Sequence, residues 1–264
     1  MTPDTNKILS EKNERIGRII FNNPERRNAM SLAMWQTAKE VLQDFIDDPE
    51  IRVIVLSGAG GKAFVSGADI SKFATERATV EDTQRYNKAT GATSDLLSTC
   101  PKPTIAQIQG FCMGGGLALA LCCDLRICTE ASQFGLPAAK LSVGYGFGGI
   151  RRLAEIVGPG FAREITFTGR RFSAQEAEAM GLVNRIVSEA ELVSFVTDYA
   201  TTIADNAPLT IAAMKKIFVE LGKDPEDRDL DGCQALVERC FGSEDYIEGR
   251  QAFLEKRKPN FQGR

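Results

Sequence analysis

The sequence predicts an α/β chain whose strands alternate with helical crossovers, followed by an all-helical lobe. Three observations predict it: short Ile- and Val-rich runs stopped by turn residues, amphipathic helical stretches between them, and helical periodicity alone after about residue 188. "IGRIIF" (16–21), "IRVIVLSG" (51–58), "TIAQIQG" (104–110) and "DLRICT" (124–129) read as buried strands. Ser31 is placed as the N-cap of the helix "LAMWQTAKEVLQDFID", and Thr79 as the start of "VEDTQRYNKATGATSDLL". Strand, helix, strand in that order implies parallel β-structure. Beyond residue 188, "EAELVSFVTDYATTIADNAP", "LTIAAMKKIFVELG", "DLDGCQALVERCFG" and "EDYIEGRQAFLEKRK" follow with no strand between them, broken at Pro208 and Pro225. The expected division is therefore a core over 1–187 and a helical lobe over 188–264.

Composition narrows the function. At 264 residues and 43% apolar, the chain can bury a sizeable core. No apolar run reaches the roughly 18–20 residues of a membrane span, and the polar start "MTPDTNKILSEKNERIG" has no apolar signal region, so the expected location is the cytoplasm, without membrane contact. Seven cysteines, an odd number set mainly in apolar segments, read as reduced buried thiols. The complete absence of histidine excludes Ser–His–Asp and Cys–His mechanisms and the commonest zinc sites, and no metal is expected. A net charge of −3 argues against general nucleic-acid binding, as does the lack of a stacking platform around Trp35 and the four tyrosines.

The segment "GFCMGGGLALALCCD" ends a strand-like run in Gly114, Gly115 and Gly116 and then starts an apolar helix. It matches neither the dinucleotide-binding fingerprint nor a P-loop, which needs Lys and Ser/Thr after the glycines. Two readings stand: the glycines let the helix start close against the sheet, or they present bare N–H groups to a negative oxygen. A second glycine-rich loop, "GAGGKAFVSGADI" (58–70), follows the strand at 51–58 and could supply a second donor.

Six segments in order, "NPERRNAM", "KAFVSGADI", "QGFCMGGGLALALCCDLRI", "GGIRRL", "FTGRRFSAQEAEAMGLVNRIV" and "AFLEKRKPNF", resemble the crotonase superfamily, the enoyl-CoA hydratase/isomerase family. The resemblance implies a spiral of ββα turns with a C-terminal helical lobe, assembled as a trimer or dimer of trimers, and a role in fatty acid metabolism. It also implies an acyl-CoA thioester as substrate, with no separate cofactor. The thioester oxygen would sit between the N–H groups of Ala68, in "SGADI", and Gly115. Substrate-binding positions carried over are Arg27 and Ala29 in the first segment, Ser66, Asp69 and Ile70 in the second, Ala118 and Ala138 around the acyl group, and Phe253 with Lys256 near CoA, the last two often from a neighbouring subunit. Arg26, Arg27 and Lys256 suit the CoA phosphates; each reads equally as a solvated surface cation.

The resemblance breaks at its chemistry. Hydratases of the family place glutamates two residues after the glycine triplet and directly after the proline of a segment like "FGLPAAK"; here those positions are Ala118 and Ala138. No Asp or Glu occurs anywhere in 134–153. Such a site suits a reaction in which a C–C bond, not a C–H bond, releases electrons to the enolate. Tyr145 matches the position of an active-site tyrosine in the methylmalonyl-CoA decarboxylase branch, though that branch also carries a glutamate where this chain has Ala118; a core tyrosine is the alternative. Asp69 is expected to fix its own turn, Asp124 to be structural, and Cys112 to be a small core residue. Three functions follow: an enoyl-CoA hydratase or isomerase by overall resemblance, a C–C lyase such as a malonyl-type decarboxylase, or a non-catalytic acyl-CoA-binding subunit.

Overall fold

The computed structural model describes residues 6–264, so residues 1–5 of the polar amino-terminal stretch lie outside it. An antiparallel hairpin of β1 (Ile8–Asn13) and β2 (Ile16–Phe21) leads into α1 (Leu32–Asp47). Ser31 caps α1 by accepting a hydrogen bond from the Met34 N–H. Three turns of one plan follow. The first comprises β3 (Val53–Gly58), β4 (Ala63–Val65), the short α2 (Phe73–Glu76) and α3 (Val80–Ser98), which Thr79 caps. The second is β5 (Thr104–Ile108), β6 (Phe111–Met113) and α4 (Gly115–Cys122). The third is β7 (Leu125–Thr129), β8 (Gln133–Gly135) and α5 (Phe147–Thr168), which is interrupted at Gly158 just before Pro159. Then come β9 (Phe172–Ser173), α6 (Ala174–Ala179), β10 (Arg185–Val187) and the helices α7 (Leu192–Ala204), α8 (Pro208–Leu221), α9 (Leu230–Phe241) and α10 (Glu244–Glu255).

The five longer strands and the short β10 form one sheet in the order β1-β2-β3-β5-β7-β10, parallel except at β1. The short strands form a second sheet, β4-β6-β8-β9, parallel except at β9. Each turn thus lays one strand on each sheet and returns through a helix. This is the ββα spiral that the resemblance implied.

Inside its edge strands β1 and β10 the larger sheet is buried on both faces, which is why β2, β3, β5 and β7 read as apolar runs. Ile54 and Leu56 of β3 face the main core with Trp35, Phe45 and Leu97, whereas Val53 and Val55 face α7. On α7, Leu192, Val196, Ala200 and Ala204 recur every fourth residue and form the stripe that covers Ile16, Ile105 and Ile127. The boundary expected at 187/188 therefore falls inside a packed layer. α7 belongs with the sheet, because its apolar stripe has no other face to bury, and the lobe proper starts with α8.

The lobe is tied down by charge. Lys215 of α8, itself buried, donates to both Asp124 oxygens at 2.7 and 2.8 Å, while Asp124 also accepts from the Thr104 N–H and hydroxyl. Glu220 accepts from Lys216 and Lys223, each at 2.8 Å, and from the Asp229 N–H at 2.9 Å. These bonds, led by Lys216, hold its carboxyl at about 2 instead of the ordinary 4.5. Glu248, bonded to Arg257 and the Asn260 N–H, is likewise lowered to about 2. A carboxyl depressed by folding stabilises the fold above its unfolded pKa and loses that contribution as pH falls toward the folded value. Thermal unfolding of a Glu220→Gln variant should therefore lie below the parent at neutral pH, with the gap closing between pH 4.5 and about 2; a gap unchanged by pH would contradict this.

Among the described residues no helix is long and apolar enough to cross a membrane, and no cluster of His, Cys, Asp or Glu is arranged to hold a metal ion.

Candidate active site

The second sheet aims two glycine loops at each other. β6 ends at Gly114, whose backbone (φ 54°, ψ −118°) turns the chain sharply into α4 and whose N–H donates to the Gly135 carbonyl at 2.9 Å. The first helical bond runs from the Ala118 N–H to the Gly114 carbonyl, so the Gly115 amide precedes it and finds no acceptor among the described residues. Beyond β4, the Gly67 carbonyl accepts from the Met30 N–H at 2.8 Å, and the Asp69 N–H donates to the Met30 carbonyl at 2.9 Å. In that parallel bridge the N–H of Ala68 points away from Met30, and it too has no acceptor among the described residues. The loops touch: a Cβ added to Gly67 would lie 3.9 Å from the Gly115 nitrogen. Two unpartnered amides on touching loops, one of them at a helix start, can stabilise an oxygen that gains negative charge.

Asn28 braces this arrangement. It is fully buried, accepts from the Asn23 N–H at 2.9 Å and donates to the carbonyls of Ala59 (3.0 Å) and Ala63 (2.7 Å), locking the 23–30 loop onto β4. Nothing in the sequence singles out Asn28, because "NPERRNAM" has the composition of an exposed charged turn. Asp69 behaves as expected of a turn residue: its carboxylate accepts from the Ser71 N–H and hydroxyl at 3.1 and 2.6 Å and so faces its own loop.

Ala118 stands one helical turn past Gly114 and lines a small cavity with Leu121, Tyr145, Arg152 and Leu153. Burial, with a smaller push from nearby Cys122, raises Tyr145 to about 12 against an opposing pull from Arg77. Its hydroxyl makes no hydrogen bond to another described residue. Ala138 lies in the turn Pro137–Leu141, just beyond Gly135, and packs against the same core as Ala68 and Tyr145. Cys112 is wholly buried and its thiol pKa is pushed far up by desolvation, so it behaves as core.

Other predicted residues ring the loops. Arg27, exposed, sets its guanidinium 5.1 Å from the Phe111 ring centroid, and its carbonyl accepts from the Ser66 N–H at 3.1 Å. The Ser66 hydroxyl donates to the Arg26 carbonyl; Ala29 is buried between these strands of chain, and Ile70 is exposed. Phe253 and Lys256 are not brought to the glycine turn. They lie on and just after α10, Phe253 lining an apolar groove with Leu209, Met214, Val237 and Phe261.

Comparison with known proteins agrees with this architecture. The enoyl-CoA hydratase/isomerase family model matches residues 11–264. The chain is 34% identical to a crotonyl-CoA hydratase of Syntrophomonas wolfei, over 96% of this chain and 97% of the relative. It is 36% identical to a carnitinyl-CoA dehydratase of Escherichia coli O157:H7, again over 96% and 97%. A crystal structure of an enoyl-CoA hydratase/carnitine racemase from Magnetospirillum magneticum superposes with a TM-score of 0.91 at 36% identity, covering 98% of this chain and 96% of that one. With sequence and backbone matched over nearly the whole chain, the chain belongs to the enoyl-CoA hydratase/isomerase family, the crotonase superfamily.

Proposed function

We propose that this protein binds an acyl-CoA thioester, stabilises its enolate between the N–H groups of Ala68 and Gly115, and reaches that enolate by breaking a C–C bond. One observation carries the reading. Two unpartnered amides sit on touching loops near a small cavity lined by Ala118, position 138 is likewise a methyl group, and residues 134–153 contain no carboxylate. Adding water across a double bond calls for positioned acid–base groups, each worth about 10²–10⁴ in rate; decarboxylation asks chiefly for the oxyanion site.

In a malonyl-type thioester the electron pair of the bond from Cα to the carboxylate becomes the enolate, and carbon dioxide departs. The Tyr145 hydroxyl, protonated at neutral pH, then supplies the proton at Cα and regains one from water. Arg26, Arg27 and Lys256 are suited to the CoA phosphates. The exposed Phe218, Phe241, Phe253 and Leu254 of the lobe favour self-association, as a trimer or dimer of trimers, which would bring Phe253 and Lys256 to a neighbour's site.

Product masses from enoyl-, 3-hydroxyacyl- and malonyl-type CoA thioesters test this. Loss of carbon dioxide from the malonyl type supports it, and Tyr145→Phe should slow that loss by about 10²-fold. An unchanged rate would remove Tyr145 from the mechanism. The second reading, hydration, is favoured by the hydratases and dehydratases among the relatives. Gain of one water on the enoyl ester would establish it in place of C–C cleavage, and binding without turnover would leave a non-catalytic acyl-CoA-binding subunit.

A further inference from the structure

Arg77, which follows α2, carries the one buried side-chain polar atom without a hydrogen-bond partner among the described residues, its Nε. The guanidinium is stacked, 4.0 Å from the Tyr86 ring centroid and 4.8 Å from that of Phe73. No carboxylate among the described residues pairs with it. The acids of its own loop are engaged elsewhere: Glu76 accepts from the Leu32 N–H at 2.9 Å, and Asp69 serves Ser71.

Tyr86 fixes this cation beside the glycine turn. Its hydroxyl donates to the Met30 carbonyl at 3.1 Å and accepts from Trp35 Nε1 at 2.9 Å. Met30 is the residue bridged to Ala68, and Trp35 Cζ2 lies 3.6 Å from where a Gly115 Cβ would be. Arg77 thus rests on Tyr86, whose hydroxyl joins the Met30 carbonyl to the Trp35 indole behind the two amides. Its charge also reaches Tyr145, where it opposes the effect of burial. At the small cavity past the glycine turn, Arg152 lines the wall with Ala118 and Tyr145, and its Nη1 donates to Cys122 Sγ at 3.1 Å, a thiol that burial keeps neutral.

A partly desolvated guanidinium with an unused donor is costly to hold unless something completes it. Arg presents a planar fork that matches a carboxylate, and a stacked Arg is already oriented for that contact. We infer that Arg77 receives a carboxylate on the acyl group, so that the ligands of this pocket are CoA half-thioesters of dicarboxylic acids. This rests on the reading of Ala68 and Gly115 as the thioester site. Arg77 is then a specificity-determining residue, with Arg152 at the cavity wall adding positive potential.

Titration of the whole protein with succinyl- and glutaryl-CoA against butanoyl- and pentanoyl-CoA, matched in chain length, tests the inference. At least one dicarboxylic ester should bind about tenfold or more tighter than its monocarboxylic partner, as expected for one charge-assisted contact. Arg77→Met should erase that preference, so that each dicarboxylic ester binds no tighter than its monocarboxylic partner. Arg77→Gln, which keeps a planar group on Tyr86 without the charge, serves the same purpose if the methionine variant does not fold. Equal affinities in the parent, or a preference that survives loss of the charge, would overturn the assignment while leaving the thioester reading intact. If none of the four esters binds, the thioester reading fails and takes this inference with it.

Discussion

Gly115→Pro is expected to lower kcat/KM on the thioester that proves to be the substrate by about 10²–10³-fold, the usual cost of losing one preorganised oxyanion donor. The unfolding temperature should move by no more than about 2 °C. The separation of the two effects is what makes the variant informative. Gly115 is the first residue of α4, a position where proline's fixed φ suits the helix and its missing N–H deprives no intrahelical acceptor. The residue before it, Gly114, has no Cβ to clash with the proline ring. The lost N–H has no acceptor in the fold, and a Cβ there meets only Trp35 at an ordinary 3.6 Å. Steady-state kinetics beside calorimetry would decide it. A folded variant with undiminished turnover would show that the Gly115 amide does not face the reacting oxygen.

How far the sequence disclosed all this depended on whether a signal is local. The four inner strands of the larger sheet, β2, β3, β5 and β7, were legible because their burial demands apolar residues at most positions, and the structure trims "IRVIVLSG" only to Val53–Gly58; the edge strand β1, mostly exposed, carries no such run and was missed. The caps Ser31 and Thr79 were legible because a hydroxyl that accepts from a helix's first turn is a property of adjacent residues. The second sheet was not, since β4, β6 and β8 have three residues each and β9 two, too few for any periodicity. α7 was legible as a helix but misassigned to the lobe, because periodicity reports an apolar face without naming what it meets. At the site, the glycine triplet and the GADI turn stand out in sequence, whereas Asn28 and Arg77 do not. Their significance lies in contacts 31 and more residues away with Ala59 and Ala63, or in the absence of a partner, and neither is written in nearby residues.

The two sequence-level readings of the glycine triplet, close packing and oxyanion donation, fall on different glycines, and the second large prediction follows from that. A Cβ on Gly116 would lie 2.1 Å from the Val65 carbonyl oxygen and 2.7 Å from Val65 Cβ, so α4 starts pressed onto β4. Backbone cannot yield as a flexible side chain can, and Gly116→Ala should cost about 3 kcal/mol, the upper end of typical overpacking. For a chain of this size that is an unfolding temperature lower by about 6–12 °C. Gly116→Ala therefore acts through the fold and Gly115→Pro through the amide, although the residues are adjacent. If Gly116→Ala proved as stable as the parent, α4 would have room to move away from β4. The spacing between the Gly115 and Ala68 amides, which that contact sets, would then lose its structural basis, and a rate loss in Gly115→Pro would have to be read as displacement of the helix.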